Sequence, residues 1–386
     1  MTYATFLVTL GLLRLSEGLA IQATETLFDQ SRLGVPVKDL KTAAGGYVID
    51  FGLGTPSQNF VLRLDLGWNR LMLPSSQCKD TLCQEKGRHK FNEKASTTFL
   101  DSKFESVSQY SNTAFDGNLV KDIAQFGGYS IPGLEFLDAT YLTTDGNFST
   151  NIPGFDGVFG LAPFIPSSAG EGITSPLKRL VGNNSLAQNI FSLELPHGPQ
   201  PASGNRAEGN LTFGISRFDP LDTAIIALPI SDRSFRRNAW VLQANNISFG
   251  PHIIPPDYNE VELSLDRPGI ILPIPYAQKI NDMIKLPSSK TAPYVVNCEG
   301  RSDMPEFIMD VGTSLGLPMF FRLSAYEYTI ESMAGDDNAA RCESLFTESR
   351  LPYGIVLGSA VLEKYISVWD LDLRELRLKK LAMSQL

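Results

Sequence analysis

Histidine and cysteine are scarce in this chain of 386 residues, with three of the first and four of the second. The histidines stand apart at 89, 197 and 252, so no grouping has the spacing of a metal site, and neither a metal nor another cofactor is expected. Basic residues are outnumbered as well, 33 Lys and Arg against 42 Asp and Glu, for a net charge of −9. The basic patch that nucleic acid or an anionic membrane surface would need is missing, so neither is expected as a partner. No low-complexity tract occurs. The longest apolar run, residues 4–13, is too short to cross a bilayer, and no other stretch comes closer.

What is present is a chain that is 43% hydrophobic, enough to bury a large core in two lobes. The N-terminal run is followed by Gly18-Leu19-Ala20, the small-x-small shape of a signal cleavage site, so residues 1–20 read as a signal peptide. The alternative is a buried or uncleaved N-terminal segment, since no early Lys or Arg precedes the run. A signal peptide implies a secreted or endolysosomal protein. In that setting Cys78, Cys83, Cys298 and Cys342 read as two disulfides. Proximity favours Cys78 with Cys83, leaving Cys298 with Cys342, although four cysteines allow three pairings. Four Asn-x-Ser/Thr sequons, at Asn147, Asn183, Asn210 and Asn246, fit a glycoprotein.

Short alternating or continuous apolar segments recur between Gly, Pro, Asn and Asp: "YVIDFGLG", "FVLRLDL", "FSLEL", "NLTFG", "VELSL", "IVLG" and "ISVWDLDL". This predicts a mostly β protein. The clearest helix candidates are "SPLKRLVG" near 175 and "YAQKINDMI" near 276. Residues 196–209, rich in Pro, Gly and polar groups, read as a long hairpin loop between "FSLEL" and "NLTFG".

A weak internal repeat sets the architecture. An alternating strand ends in Asp65 ("LRLD") and another in Asp266 ("LSLD"); "VFG" ends at Gly160 and "VLG" at Gly358. Asp65 precedes its glycine by 95 residues and Asp266 by 92, which predicts two related lobes, each with one aspartate loop and one later glycine turn. Asp310, in the more suggestive string "MDVGTSLGLP", precedes Gly358 by only 48 and fits neither place.

The stretch "FGLGTPSQNFVLRLDLGWNRLMLPSSQC" resembles the opening of the pepsin-like aspartic peptidases. "HKFNEKASTTF", "SQYSNTAFDGNL", "FDGVFGLA" and "YGIVLGSAVLEKYISVWDLDLRELRLKKL" continue the resemblance in order, over about residues 45 to 380. It implies a bilobal β fold, each lobe a β-barrel-like body, with a central cleft that binds peptide in extended form. It further implies one aspartate from each lobe, the pair sharing a proton because adjacent like charges cannot both ionise cheaply, an effect for which this family is a standard example. On the residues, Asp65 and Asp266 fall on that catalytic pair and Tyr110 on the tyrosine of the flap. The boundaries that follow are 21–43 for a short segment resembling a prosegment, 44–220 for the N-terminal lobe and 221–386 for the C-terminal lobe.

Departures from the family pattern surround both aspartates. Leu66 and Trp68 replace hydroxyl residues of the first loop, and Arg267, Pro268 and Gly269 stand where the second has Thr, Gly and a hydroxyl residue. Pro268 has a fixed φ and no N–H, and Arg267 adds positive charge beside Asp266. A one-residue insertion would let Gly269 serve as the turn glycine. Asp310 falls between cysteines 298 and 342, on a turn between strands. The expectation is a monomeric pepsin-like protein with both aspartates, weak or absent proteolysis and a peptide-binding cleft. The rival is an active acid endopeptidase. A structural or carbohydrate-binding β protein is the third class, and no motif supports it.

Overall fold

Alternation between apolar and polar residues shapes the first hairpin. In the computed structural model, Tyr47–Leu53 and Gln58–Asp65 pair antiparallel from Val48 opposite Arg63 to Leu53 opposite Gln58. The structure describes residues 34–39, 46–110, 113–144, 154–164, 175–182, 186, 188–197, 208–216, 218, 224–254, 259–311, 318–334, 339–349 and 354–381. The expected signal peptide, residues 21–33 of the segment after it, and the sequons at Asn147 and Asn183 lie outside these.

Two strand arrangements repeat along the chain. In the first, Gln58–Asp65 runs parallel to Gly157–Gly160, which pairs antiparallel with Leu71–Pro74, which in turn runs parallel to Tyr129–Thr144. In the second, Glu260–Leu263 runs parallel to Ile355–Leu357, which pairs antiparallel with Ile270–Pro273, which runs parallel to Phe346–Ser349. The repeat read from the two aspartates and two glycines is therefore a repeat of topology, and the protein has the mostly β, bilobal pepsin-like fold. A long hairpin, Leu100–Tyr110 with Thr113–Phe126, extends the first arrangement.

Strands from both ends of the chain share one ladder. Ile225–Pro229, Glu375–Lys380, Tyr365–Asp370, Ile190–Glu194, Gly209–Phe213 and Gly34–Asp39 lie side by side in that order. Ile190–Glu194 and Gly209–Phe213 are the hairpin expected across residues 196–209. Over this ladder Phe191 stacks on Trp369, centroids 5.6 Å apart, and Trp240 packs against Trp369 at 5.0 Å. Offset and tilted aromatic pairs of this kind add to the burial of their area. Two of the expected helices form, Pro176–Gly182 and Ile274–Ile284; the second buries Ala277, Ile280 and Ile284 at helical spacing.

Disulfides join Cys78 to Cys83 and Cys298 to Cys342. The second closes a loop of 44 residues and the first one of 5. Loop-closure entropy then assigns about 4 kcal/mol to the long loop and about 2 kcal/mol to the short one. Urea unfolding of the two double Cys→Ser variants is expected to show the larger loss for Cys298 and Cys342; equal losses would contradict this.

One acid in the N-terminal half is buried without full compensation. Asp138, opposite Leu73 in the parallel ladder, is 2% exposed, and its Oδ1 has no hydrogen-bond partner. Burial pushes its pKa from 3.8 up to about 7; the Ser75 hydroxyl opposes the rise and Glu93 adds to it. A raised folded-state value means the protonated form is favoured in the native protein, so the stability that Asp138 contributes is fully present below about pH 4 and is lost as pH rises through about 7. Asp138→Asn is expected to flatten that decline in urea midpoints measured from pH 4 to pH 7.5. An unchanged slope would remove Asp138 as its source.

Candidate active site

The first aspartate loop starts where a core strand ends. Phe60, Leu62 and Leu64 point into the main core, which puts Asp65 on the opposite face of the strand, 5% exposed. Its Oδ1 accepts the Gly67 N–H at 2.6 Å, a bond from two residues on that orients the carboxylate. Its carbonyl accepts the Leu161 N–H at 2.7 Å. Gly160 runs so close beneath the loop that a Cβ there would lie 2.2 Å from the Trp68 carbonyl oxygen. Leu66 is fully buried in the main core, where it has no polar atom to offer. Trp68 is half-buried against a second apolar cluster, with the Arg70 guanidinium 5.9 Å from its ring.

The second loop repeats the underpass and changes what lies above it. A Cβ at Gly358 would be 2.1 Å from the Arg267 carbonyl oxygen. Gly358, Ser359 and Ala360 donate their N–H groups to the carbonyls of Gly269, Arg267 and Pro268 at 2.9, 2.8 and 3.1 Å. In the first lobe Gly160 donates to Arg70, five residues past Asp65; here Gly358 donates to Gly269, three past Asp266. The loops are nevertheless equal in length: continuing the strand register puts Ser264 opposite Gly358 where Asp65 is opposite Gly160, Gly269 is five residues past Ser264, and Asp266 takes the place of Gly67. Among the described residues the Asp266 carboxylate accepts one hydrogen bond, from the Ser264 hydroxyl. Two positions after Asp266 stands Pro268, which has no N–H to hold a carboxylate as the Gly67 N–H holds Asp65.

Charges crowd the second loop. Burial pushes the Glu262 carboxyl up; Arg237 and Arg267 pull it down, and the nearby Asp266 adds to the rise. Arg237 reaches Glu260 at 2.6 Å and Glu262 at 3.4 Å. Arg267 and Pro268 are exposed, while Asp266 is half-buried.

Trp240 ties the two loops together. Its indole N–H donates to the Leu161 carbonyl at 2.9 Å, and its own carbonyl accepts the Leu263 N–H at 2.9 Å. Leu161 is the residue bonded to Asp65, and Leu263 stands three before Asp266. A second contact crosses between Asn69 and Asn238, side chain to side chain at 3.0 Å. The sequence reading did not single out Trp240, and its partner lies 79 residues away.

The other expected site residues are spread through the fold. Tyr110 ends the outer strand of the long hairpin, paired with Thr113 across its tip, a position that suits a flap. Asp310 is the last residue of Phe307–Asp310, opposite Asn246 on one side and Phe320 on the other, and its Oδ1 accepts the Met319 N–H at 3.2 Å. That places it at the mouth of a hairpin, whose tip at 312–317 lies outside the described residues. Asn246 is exposed at the start of Asn246–Phe249. Asn210 sits between two paired strands with its Oδ1 buried.

A family model described as eukaryotic aspartyl protease matches residues 46–381. The chain belongs to that family. It is 26% identical to the vacuolar aspartic protease of Candida albicans over 331 residues, 84% of this chain and 73% of that protein. It is 24% identical to vacuolar protease A of Aspergillus fumigatus over 90% of this chain and 81% of that protein. With human Napsin-A the identity is 24%, over 84% and 74% of the two chains.

In this member of the family, Trp240→Phe keeps a ring in the aromatic node and removes the indole donor. A buried carbonyl left without its donor costs about 1–3 kcal/mol, so the urea midpoint is expected to fall accordingly. No loss of stability would mean that the link between the loops is carried elsewhere.

Proposed function

We propose that this protein is a pepsin-like peptidase scaffold whose cleft binds peptide in extended form and whose proteolysis is weak or absent. Asp65 and Asp266 are the proposed acid pair and Tyr110 the flap residue. The lobes are 44–220 and 221–386. The observation that carries the reading is the unequal placing and support of the two carboxylates: Asp65 lies opposite Gly160 and is held by the amide two residues on, whereas Ser264 takes the place opposite Gly358 and Asp266 is followed by Arg267 and Pro268. A pair that shares one proton needs two similarly held, closely matched carboxylates. Arg267 beside Asp266 favours the doubly ionised pair, in which neither carboxyl can polarise a substrate carbonyl.

The vacuolar names of several relatives support an endolysosomal setting, reached through the proposed signal peptide at 1–20. There the stability that Asp138 contributes would be kept in larger part than at neutral pH. Of the two described sequons, Asn246 is the one whose side chain is free to carry a glycan.

The test is digestion of a denatured protein at pH 4, with and without a transition-state inhibitor of aspartic peptidases. Loss of one positioned donor typically costs about 10²–10³ in rate, and turnover is expected to be lower by at least that much than the roughly 10 s⁻¹ of an ordinary enzyme. Arg267→Thr combined with Pro268→Gly is expected to raise it. Inhibitor-sensitive cleavage at an ordinary rate, abolished by Asp65→Asn, would establish the active endopeptidase instead. Abolition by Asp310→Asn with Asp266→Asn unaffected would make Asp310 the partner.

A further inference from the structure

Arg63 is a buried cation on the same strand face as Asp65. Phe60, Leu62 and Leu64 take the core face of Gln58–Asp65, so Arg63 and Asp65, two residues apart, project to the other side about 7 Å from each other along the strand. Arg63 lies between Val48 and Val158 on the neighbouring strands. Val158 belongs to the apolar cluster that includes Phe115 of the long hairpin and is lined by Trp68 and Phe155. The guanidinium carbon sits 5.9 Å from the Phe155 ring centroid. Arg63 is only 5% exposed, its Nε has no hydrogen-bond partner, and among the described residues it makes no ion pair.

A buried, unpaired charge is destabilising even after relaxation. The ring face of Phe155, which Arg88 also approaches at 5.7 Å, offsets part of this at most, since a cation–π contact is weaker than the desolvation of a guanidinium. Nε and one terminal nitrogen of a guanidinium form a fork that matches a carboxylate in two parallel, charge-assisted bonds. With apolar walls on either side, such a carboxylate would be bound in a low-dielectric setting, where the pair is strongest. The cluster would accept the methylene groups of the same side chain.

We propose that Arg63 makes the cleft selective for an acidic peptide, accepting a Glu or Asp side chain at the position laid beside Asp65. This rests on the reading of that cleft as the peptide site. It adds a substrate class, since an apolar residue at position 63 would favour an apolar side chain there.

The experiment is a glutamate scan. A fluorescein-labelled octapeptide of Leu, Val and Ala is made with Glu at each position in turn, each with a Gln-matched control, and binding to the full chain is measured at pH 5.5 and pH 3.5. At one position Glu is expected to bind at least tenfold more tightly than Gln at pH 5.5. The preference should vanish at pH 3.5, below the ordinary Glu value of about 4.3. Arg63→Met should abolish the preference while leaving the Gln peptides bound, and Arg63→Lys should retain part of it. If every peptide binds and no position prefers Glu, or if the preference survives Arg63→Met, the role of Arg63 is overturned and the peptide cleft stands. If no peptide of the scan binds the unaltered chain, the cleft reading and the inference fall together. Even if a variant does not fold, an unaltered chain that binds every peptide without preferring Glu overturns the role of Arg63, and Arg63→Lys, which keeps the charge, serves where Arg63→Met does not fold.

Discussion

Each lobe is organised by a glycine backbone passing under an aspartate loop at a separation that no side chain permits. The Cβ clearances at Gly160 and Gly358, 2.2 and 2.1 Å to a loop carbonyl, are far inside van der Waals contact. Because the passing segment donates its N–H groups to the loop, the loop's carbonyls are satisfied from below. That arrangement requires the parallel pairing of the aspartate strand with the glycine strand, and it fixes where the next strand can start. The order of strands in both arrangements follows from this one packing event occurring twice.

What differs between the lobes is confined to the upper side of the loops. Opposite the second glycine stands Ser264 where the first has Asp65, and Asp266 lies two residues further along, although the underpass is the same. The segment left between Asp266 and Gly269 has fewer amides to fold back toward its carboxylate, and one of those positions is a proline. Its charges are also arranged differently, with Glu262, Arg237 and Arg267 around Asp266, whereas Asp65 shares a largely apolar face with Arg63. Family membership therefore describes the scaffold, and the chemistry depends on a handful of atoms above it.

Much of the scaffold was legible in the sequence because it rests on local patterns: alternating strands, two Asp-to-Gly spacings, and the breaker-rich loop at 196–209. The two disulfide pairs followed from proximity and count. The site was legible less fully. "VLRLDL" alternates, so Arg63 reads as a solvent-facing residue; it is buried because a second apolar layer, from Val158 to Phe115, covers that face too. The place of Ser264 opposite the second glycine is invisible to a comparison that sets the two aspartates on each other. Trp240 carries no local mark at all, since its significance depends on a carbonyl 79 residues away. Asp310 shows the opposite case, a suggestive string whose place at a hairpin mouth is set by strand pairing.

The bond from Trp240 to Leu161 has a further consequence. It joins the lobes through a main-chain carbonyl and a buried ring, using no side-chain atom of either aspartate loop. Leu66 and Arg267 stand in these loops with no part in that bond, and the lobes are still tied. Mechanical cohesion and the chemistry of the loops are therefore written in separate residues, so either loop can change without the tie between the halves coming undone.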